Sequence, residues 1–481
     1  MTTHKNATNS PTDFRDAVAE DLMTGVAAVD GFNLSVNTSD INAFVDAQST
    51  TITPDISENS SATKPPPGKW YGSDSRQAIM QFTAYLLYKN YTYTGPVSGI
   101  LSDPKQRKYI SRLIDWQLKH MFGVFTTHPD FVNNPGVPSS AYTVNLLGAE
   151  NVRGGHYANY TKISYSYDDI MVFSKSLLSG SGPQRIKFVL PKDPVTIYKK
   201  GLADGKNLCT DEHYNAETDF WYFWNPYQRG CPIDDEDLVT VQAHLKPIDI
   251  TRGGDTYPEY TRLYGGGEAL QVTYLASVNK NFEDEDAGKQ NFQNAFLRLC
   301  AAGFEVTMDE PYHKRLSFFA DAKRTSVDMR LMDPNSWEFG EAAAHGMETA
   351  DIFLYDGHSG LGGNLNITYL SQIIGRPLTL PKKYQIFFFR GCSTYAYYNS
   401  AYFELKRSDS DPNGTKNLDI ITTGIGASFI VGAKTDVDFL TSIAFGQRPS
   451  WQTIIDTINT AEGRLSALTH VNGDEDNPRT P

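Results

Sequence analysis

The residues with most to offer chemically stand where two apolar runs stop. ADIFLYDGHSGLGG (350–363) carries His358, and KKYQIFFFRGCSTYAYY (382–398) carries Cys392. A thiol beside an imidazole is a nucleophile with its base: the ring takes the thiol proton and later returns it to the leaving group. Glycines flank both residues, at Gly357, Gly360, Gly362, Gly363 and Gly391, and they let backbone N–H groups approach a developing oxyanion. The two candidates lie 34 positions apart, room for one strand–helix–strand crossover. Such a crossover sets its strands parallel and both side chains at one sheet edge. Either residue alone reads as a structural thiol or a loop histidine; the two together, each after an apolar strand, favour catalysis.

Stepping outward, the pattern predicts the frame that would position them. Strands are expected at ALQVTYLA (269–276), FEVTM (304–308), DIFLY (351–355), YQIFFF (384–389), Asp419–Thr423 and Ser428–Gly432. Helices are expected at Phe292–Cys300, closed by Gly303, at Trp337–Thr349, just before Tyr384, and along Tyr395, Tyr398, Tyr402 and Leu405. Alternation of helices with uniformly apolar strands predicts an α/β domain over 268–465, with a mostly parallel sheet covered on both faces and a flexible tail at 466–481. Upstream, residues 1–68 are rich in Ser, Thr, Asn, Asp and Pro and read as a disordered arm, with one short helix at Asp13–Val29. Residues 69–250 read as a mixed α+β accessory domain. Its first helix would align Ile79, Phe82 and Leu86 behind a Ser73/Asp74 cap; its second starts at Asp103-Pro104 and aligns Ile110, Leu113, Ile114, Leu118 and Met121. Antiparallel strands KISYSY, DIMVFS, RIKFVL, VTIYKK and LVTVQAHL follow, then a linker at 251–267.

An apolar strand ending in Gly-His, followed by another ending in Gly-Cys, resembles the caspase–legumain–gingipain–separase group of cysteine peptidases across about Ala269–Thr460. The resemblance implies a caspase-like α/β/α sandwich and peptide-bond hydrolysis by a Cys392–His358 dyad. It implies an oxyanion hole made by the Cys392 amide and an amide just after the histidine, from Ser359 or Gly360. The family usually has glycine directly after the histidine; here Ser359 intervenes, so the turn must tolerate a side chain. LASVNKNFEDEDAGKQNF is similar to the legumain segment whose asparagine orients the histidine, which makes Asn279 the matching position, with Asp356 a second candidate. In relatives a selecting residue often follows the second strand, here Asp309 and Glu310. A buried carboxylate there would choose Arg or Lys before the cut; a solvated acidic turn is equally open, and Asp436 and Asp438 are alternative pocket acids. The connection cut during caspase maturation corresponds to Lys406–Asp419, with Arg407 a candidate self-processing site.

Other features bound the answer. A net charge of −13 argues against a nucleic-acid partner. No run reaches the ~18 apolar residues of a membrane helix, and Met1–Ser10 lacks the apolar core of a signal peptide. Cys209 and Cys231 bracket a turn-rich, aromatic stretch and are expected to form a disulfide, which points to a secreted, periplasmic or cell-surface setting. A metal site from Cys209, His213 and Cys231 would lack a fourth ligand. Asp409, Asp411, Asn413 and Gly414 echo the first half of a calcium loop, but Pro412 interrupts it and the closing glutamate is missing. No cofactor is required, and His313, His345 and His470 receive no role. The partner expected is a protein or peptide substrate. Two rival readings stay open: an acyl-transferring ligase or transamidase on the same fold, and a non-catalytic secreted binding protein with a degenerate peptidase fold.

Overall fold

The computed structural model describes residues 75–89, 93–139, 141–178, 182–248, 256–265, 269–320, 322–463 and 467–481. The arm at 1–68, its helix at Asp13–Val29 and the Ser73/Asp74 cap lie outside the described residues. The described residues form two compact units, 75–248 and 256–481.

The first unit is α+β. It comprises β1 (Ser75–Tyr88), α1 (Pro104–Lys119), α2 (Met121–Thr127), β2 (Gly136–Val137), β3 (Thr143–Asn151), β4 (Thr161–Ser174), β5 (Gln184–Pro191), α3 (Ile197–Gly201), β6 (Leu202–Ala203), β7 (Lys206–Asn207) and β8 (Leu238–Pro247). The main sheet runs β2-β4-β1-β8-β5, with β3 also on β4. The expected first helix is instead β1: Ala78, Met80, Phe82, Ala84 and Leu86 are buried at every second position, the period of a strand. Asp103 caps α1 as anticipated, accepting from the Gln106 N–H at 2.9 Å. KISYSY and DIMVFS are one continuous strand, β4. VTIYKK is not a strand but leads into α3, because Asp193 accepts from the Val195 and Thr196 amides and turns the chain. Cys209 and Cys231 form a disulfide, which removes the cysteines from the alternative metal set.

The second unit carries both candidate strand ends. It contains α4 (Tyr260–Gly265), β9 (Ala269–Ser277), α5 (Ala287–Ala301), β10 (Glu305–Glu310), β11 (His313–Ala320), β12 (Lys323–Met332), α6 (Trp337–Thr349), β13 (Ile352–Asp356), α7 (Ile367–Ile373), β14 (Gln385–Arg390), α8 (Thr394–Tyr398), α9 (Ser400–Glu404), β15 (Leu418–Thr422), α10 (Phe429–Ala444), α11 (Trp451–Glu462) and β16 (His470–Asn472). One eight-stranded sheet has the order β10-β11-β12-β9-β13-β14-β15-β16. Strands β12, β9, β13, β14 and β15 are mutually parallel, while β10, β11 and β16 join by antiparallel pairing. Alternate residues of the central strands feed two cores: Ile352, Leu354, Ile386 and Phe388 pack with α5, α10 and α11, and Phe353, Tyr355, Phe387 and Phe389 pack with α6, α7 and α9. Helices therefore cover both faces.

Several expectations change. The linker contains α4, anchored by buried Tyr260 and Leu263. FEVTM opens a hairpin, β10–β11, instead of joining the parallel set. Ser428–Gly432 is the start of α10, with the Ser428 hydroxyl accepting from the Ile430 amide. The helix of tyrosines breaks at Asn399 into α8 and α9. The tail expected to be flexible supplies β16. Among the described residues, no helix is long and apolar enough to cross a membrane.

The disulfide closes a separation of 22 residues, so its loss is expected to destabilise the first unit by about 3 kcal/mol. Denaturant melts of Cys209→Ser/Cys231→Ser against wild type check this, and unchanged midpoints would contradict it.

Candidate active site

Parallel pairing of β13 with β14 runs in register to Asp356↔Arg390. The ladder continues one step further, with Gly357 N–H donating to the Arg390 carbonyl at 3.1 Å. His358 and Cys392 therefore stand at the same offset, two residues beyond the same rung, on strands ~4.8 Å apart. The two turns touch: a Cβ on Gly391 would lie 2.6 Å from the Gly357 carbonyl oxygen and 3.6 Å from the Ser359 nitrogen. Only glycine permits that approach. Immediately after the thiol, Ser393 adopts a left-handed conformation with φ 51°. That is an uncommon state for a residue with a side chain, and it turns strand into helix directly at Cys392.

His358 is held in one orientation. Its Nε2–H donates to Asn279 Oδ1 at 2.6 Å, and because an amide oxygen only accepts, Nδ1 is left as the bare nitrogen. The ring meets Phe429 edge-on at 5.4 Å. Burial lowers its pKa to about 4, partly opposed by the charge of Asp286, so the imidazole is a neutral base at neutral pH. Asn279 is in turn held by Asp286, which caps α5. That carboxylate accepts from the amides of Asn279, Lys280, Asn281 and Lys289. Asp286 was missed from the sequence, although an aspartate just ahead of an apolar helical stripe is a cap signal.

Asp356 does not orient the histidine. It forms a buried ion pair with Arg390 and accepts from Asn291 Nδ2. Arg390 also donates to the Ser428 carbonyl and lies 4.0 Å from Asp436. Burial and the neighbouring Asp356 push Asp436 well above the usual carboxylate range, and Tyr274 donates to it at 2.7 Å. This cluster sits directly beneath the two strand ends. It also corrects the expectation for Asp436, which is a buried partner of Arg390 on α10; Asp438 pairs with Lys434 on the same helix.

The structure does not bring the other candidates to this place. Asp309 and Glu310 end the outermost strand, four strand positions from β13, or about 19 Å. Asp309 is 59% exposed and paired with Lys314, so no buried selecting carboxylate exists there. Arg407 pairs with Glu404. Its neighbour Lys406 donates to the carbonyls of Pro381 and Lys383 at the start of β14, the end opposite Cys392 and roughly 20 Å away. The structure thus does not bring Arg407 to Cys392. Asp411 spends its carboxylate on the Gly414 and Lys416 amides, which gives the echo of a calcium loop a purely structural cause. Among the described residues, no group of three or more His, Cys, Asp or Glu side chains could hold a metal ion. His213 pairs with Asp211 and His313 with Asp328. His470 is buried in β16.

Comparison with protein-family models finds no match to this chain, and no curated protein matches it.

Two outcomes follow from the buried charges. The acid limb of Cys392 alkylation is expected near pH 4, where His358 gains its proton, instead of near the ordinary 6.5. Asp286→Asn should move that limb lower, since the carboxylate is what pulls the value up; a limb near 6.5, or an upward move, would contradict this. Arg390→Leu strands the Asp356 carboxylate without its cation and should cost about 3–5 kcal/mol in chemical denaturation. A loss below about 1 kcal/mol would mean the cluster is not held by that pair.

Proposed function

We propose that residues 256–481 form a caspase-like cysteine hydrolase that cleaves peptide bonds with Cys392 and His358. The observation carrying this reading is the shared offset of the two residues beyond one rung of a parallel strand pair, together with a ring whose bare nitrogen is Nδ1. Cys392 Sγ attacks the peptide carbonyl while its proton passes to Nδ1. The C–N bond then breaks, and the amine leaves with that proton. Water, deprotonated by the same nitrogen, hydrolyses the thioester and frees the thiol. The Ser359 amide, whose nitrogen lies beside Gly391, would donate to the oxygen that carries the transient charge.

With Asp309 and Glu310 outside the site, a preference for Arg or Lys before the cut loses its support, and no residue preference is proposed. The Cys209–Cys231 disulfide supports a setting outside the reducing cytosol.

Acyl transfer to an amine is a second reading, and one observation favours it. Cys392 is 6% exposed and His358 8%, so little room is left for water at the thioester.

A peptide-library digest tests both. Wild type should cut, and Cys392→Ala and His358→Ala should each lose on the order of 10³-fold or more. Equal cleavage by all three would remove the dyad. Adding glycinamide separates the readings: its appearance in product in place of the free acid indicates transfer.

A further inference from the structure

We propose that Tyr355 and Asn364 are positioning residues for the oxyanion hole. They pin the carbonyl of the His358–Ser359 peptide so that the Ser359 N–H is aimed at the reacting oxygen. The inference rests on the hydrolase reading above and explains how the turn works without glycine after the histidine.

The His358 carbonyl accepts two hydrogen bonds, from the buried Tyr355 hydroxyl at 2.5 Å and from the half-buried Asn364 Nδ2 at 2.6 Å. In a trans peptide the C=O and N–H point in opposite directions. Fixing the oxygen on Tyr355 and Asn364 therefore turns the Ser359 N–H the opposite way, and the Ser359 nitrogen lies 3.6 Å from where a Cβ on Gly391, the residue before the thiol, would stand. The next peptide repeats the device. The Ser359 carbonyl accepts from the Gly362 and Asn364 amides at 3.0 and 3.2 Å and from the Tyr398 hydroxyl at 2.7 Å, which turns the Gly360 N–H away from the core. Among the described residues, neither the Ser359 nor the Gly360 N–H donates to a backbone carbonyl. Donors fixed in place but left unspent are what a developing oxyanion requires.

The same contacts show where the need for glycine has moved. Gly360 has φ +57°, and a Cβ on it would meet Asn364 Oδ1 at 2.4 Å. The left-handed step and the close approach both fall at 360, which leaves position 359 able to carry a side chain. Tyr355 lies on β13 and is fully buried, so the pin is anchored in the sheet that also sets His358.

Two reactions of one thiol test the assignment. Alkylation by iodoacetamide displaces iodide at a saturated carbon and forms no oxyanion; hydrolysis of the best library peptide does. Tyr355→Phe and Asn364→Ala are each expected to lower kcat on the order of 10-fold, with KM and the Cys392 alkylation rate held within about 2-fold. Preserved alkylation also reports that the variant is folded, and Tyr355→Phe removes only the hydroxyl. If kcat and alkylation fall together, or neither changes, the positioning role is overturned. A wild-type protein that alkylates but cuts no peptide would instead overturn the hydrolase reading itself.

Discussion

The proposed chemistry depends on the parallel pairing of β13 with β14, closed at its end by a buried ion pair. Asp356 and Arg390 occupy the last rung, and their side chains meet in a region that is 2% exposed. A buried pair of this kind adds little net stability, but breaking one partner is severe. Its effect is thus on geometry: the two strands cannot slip by a residue without stranding a charge. Because the offset beyond the rung is the same on both strands, that register decides whether the thiol and the imidazole share an edge.

Support for the pair comes from the helices α5 and α10. Asn291 on α5 bridges to Asp356 through its amide nitrogen, while its oxygen accepts from the Ala433 amide of α10. The cap of α5, Asp286, organises the loop that presents Asn279. The tyrosines after Cys392 reach back to the histidine turn, Tyr398 to the Ser359 carbonyl and Tyr402 to the Leu365 carbonyl. The histidine loop is therefore tied both to its own strand and to the helices that follow the cysteine.

Much of this was legible in the sequence because apolar strands buried on both faces need no periodicity to be recognised. IFLY and IFFF could be little else, and residues at their ends follow from topology. The weaker signals failed for identifiable reasons. Small residues at Ala78 and Ala84 hid the alternation of β1 and let a helical spacing stand out. Strand β12 alternates cleanly, with Thr325, Val327, Met329 and Leu331 buried between polar residues, a strand signal that the reading of the sequence passes over. The pocket expected at Asp309 and Glu310 depends on an inner strand, and β10 is instead the outer edge of a hairpin. The hydrogen bonds that aim Ser359 were invisible, since no spacing rule links Tyr355 or Asn364 to a carbonyl three or six residues away.

The most direct test is the protonation pattern of His358 read by nitrogen-15 NMR of the imidazole at neutral pH. Expected are a proton on Nε2, a bare Nδ1, and an Nδ1 resonance that moves when Cys392 is replaced by alanine. A ring protonated on Nδ1, or an Nδ1 signal indifferent to the loss of the thiol, would contradict it.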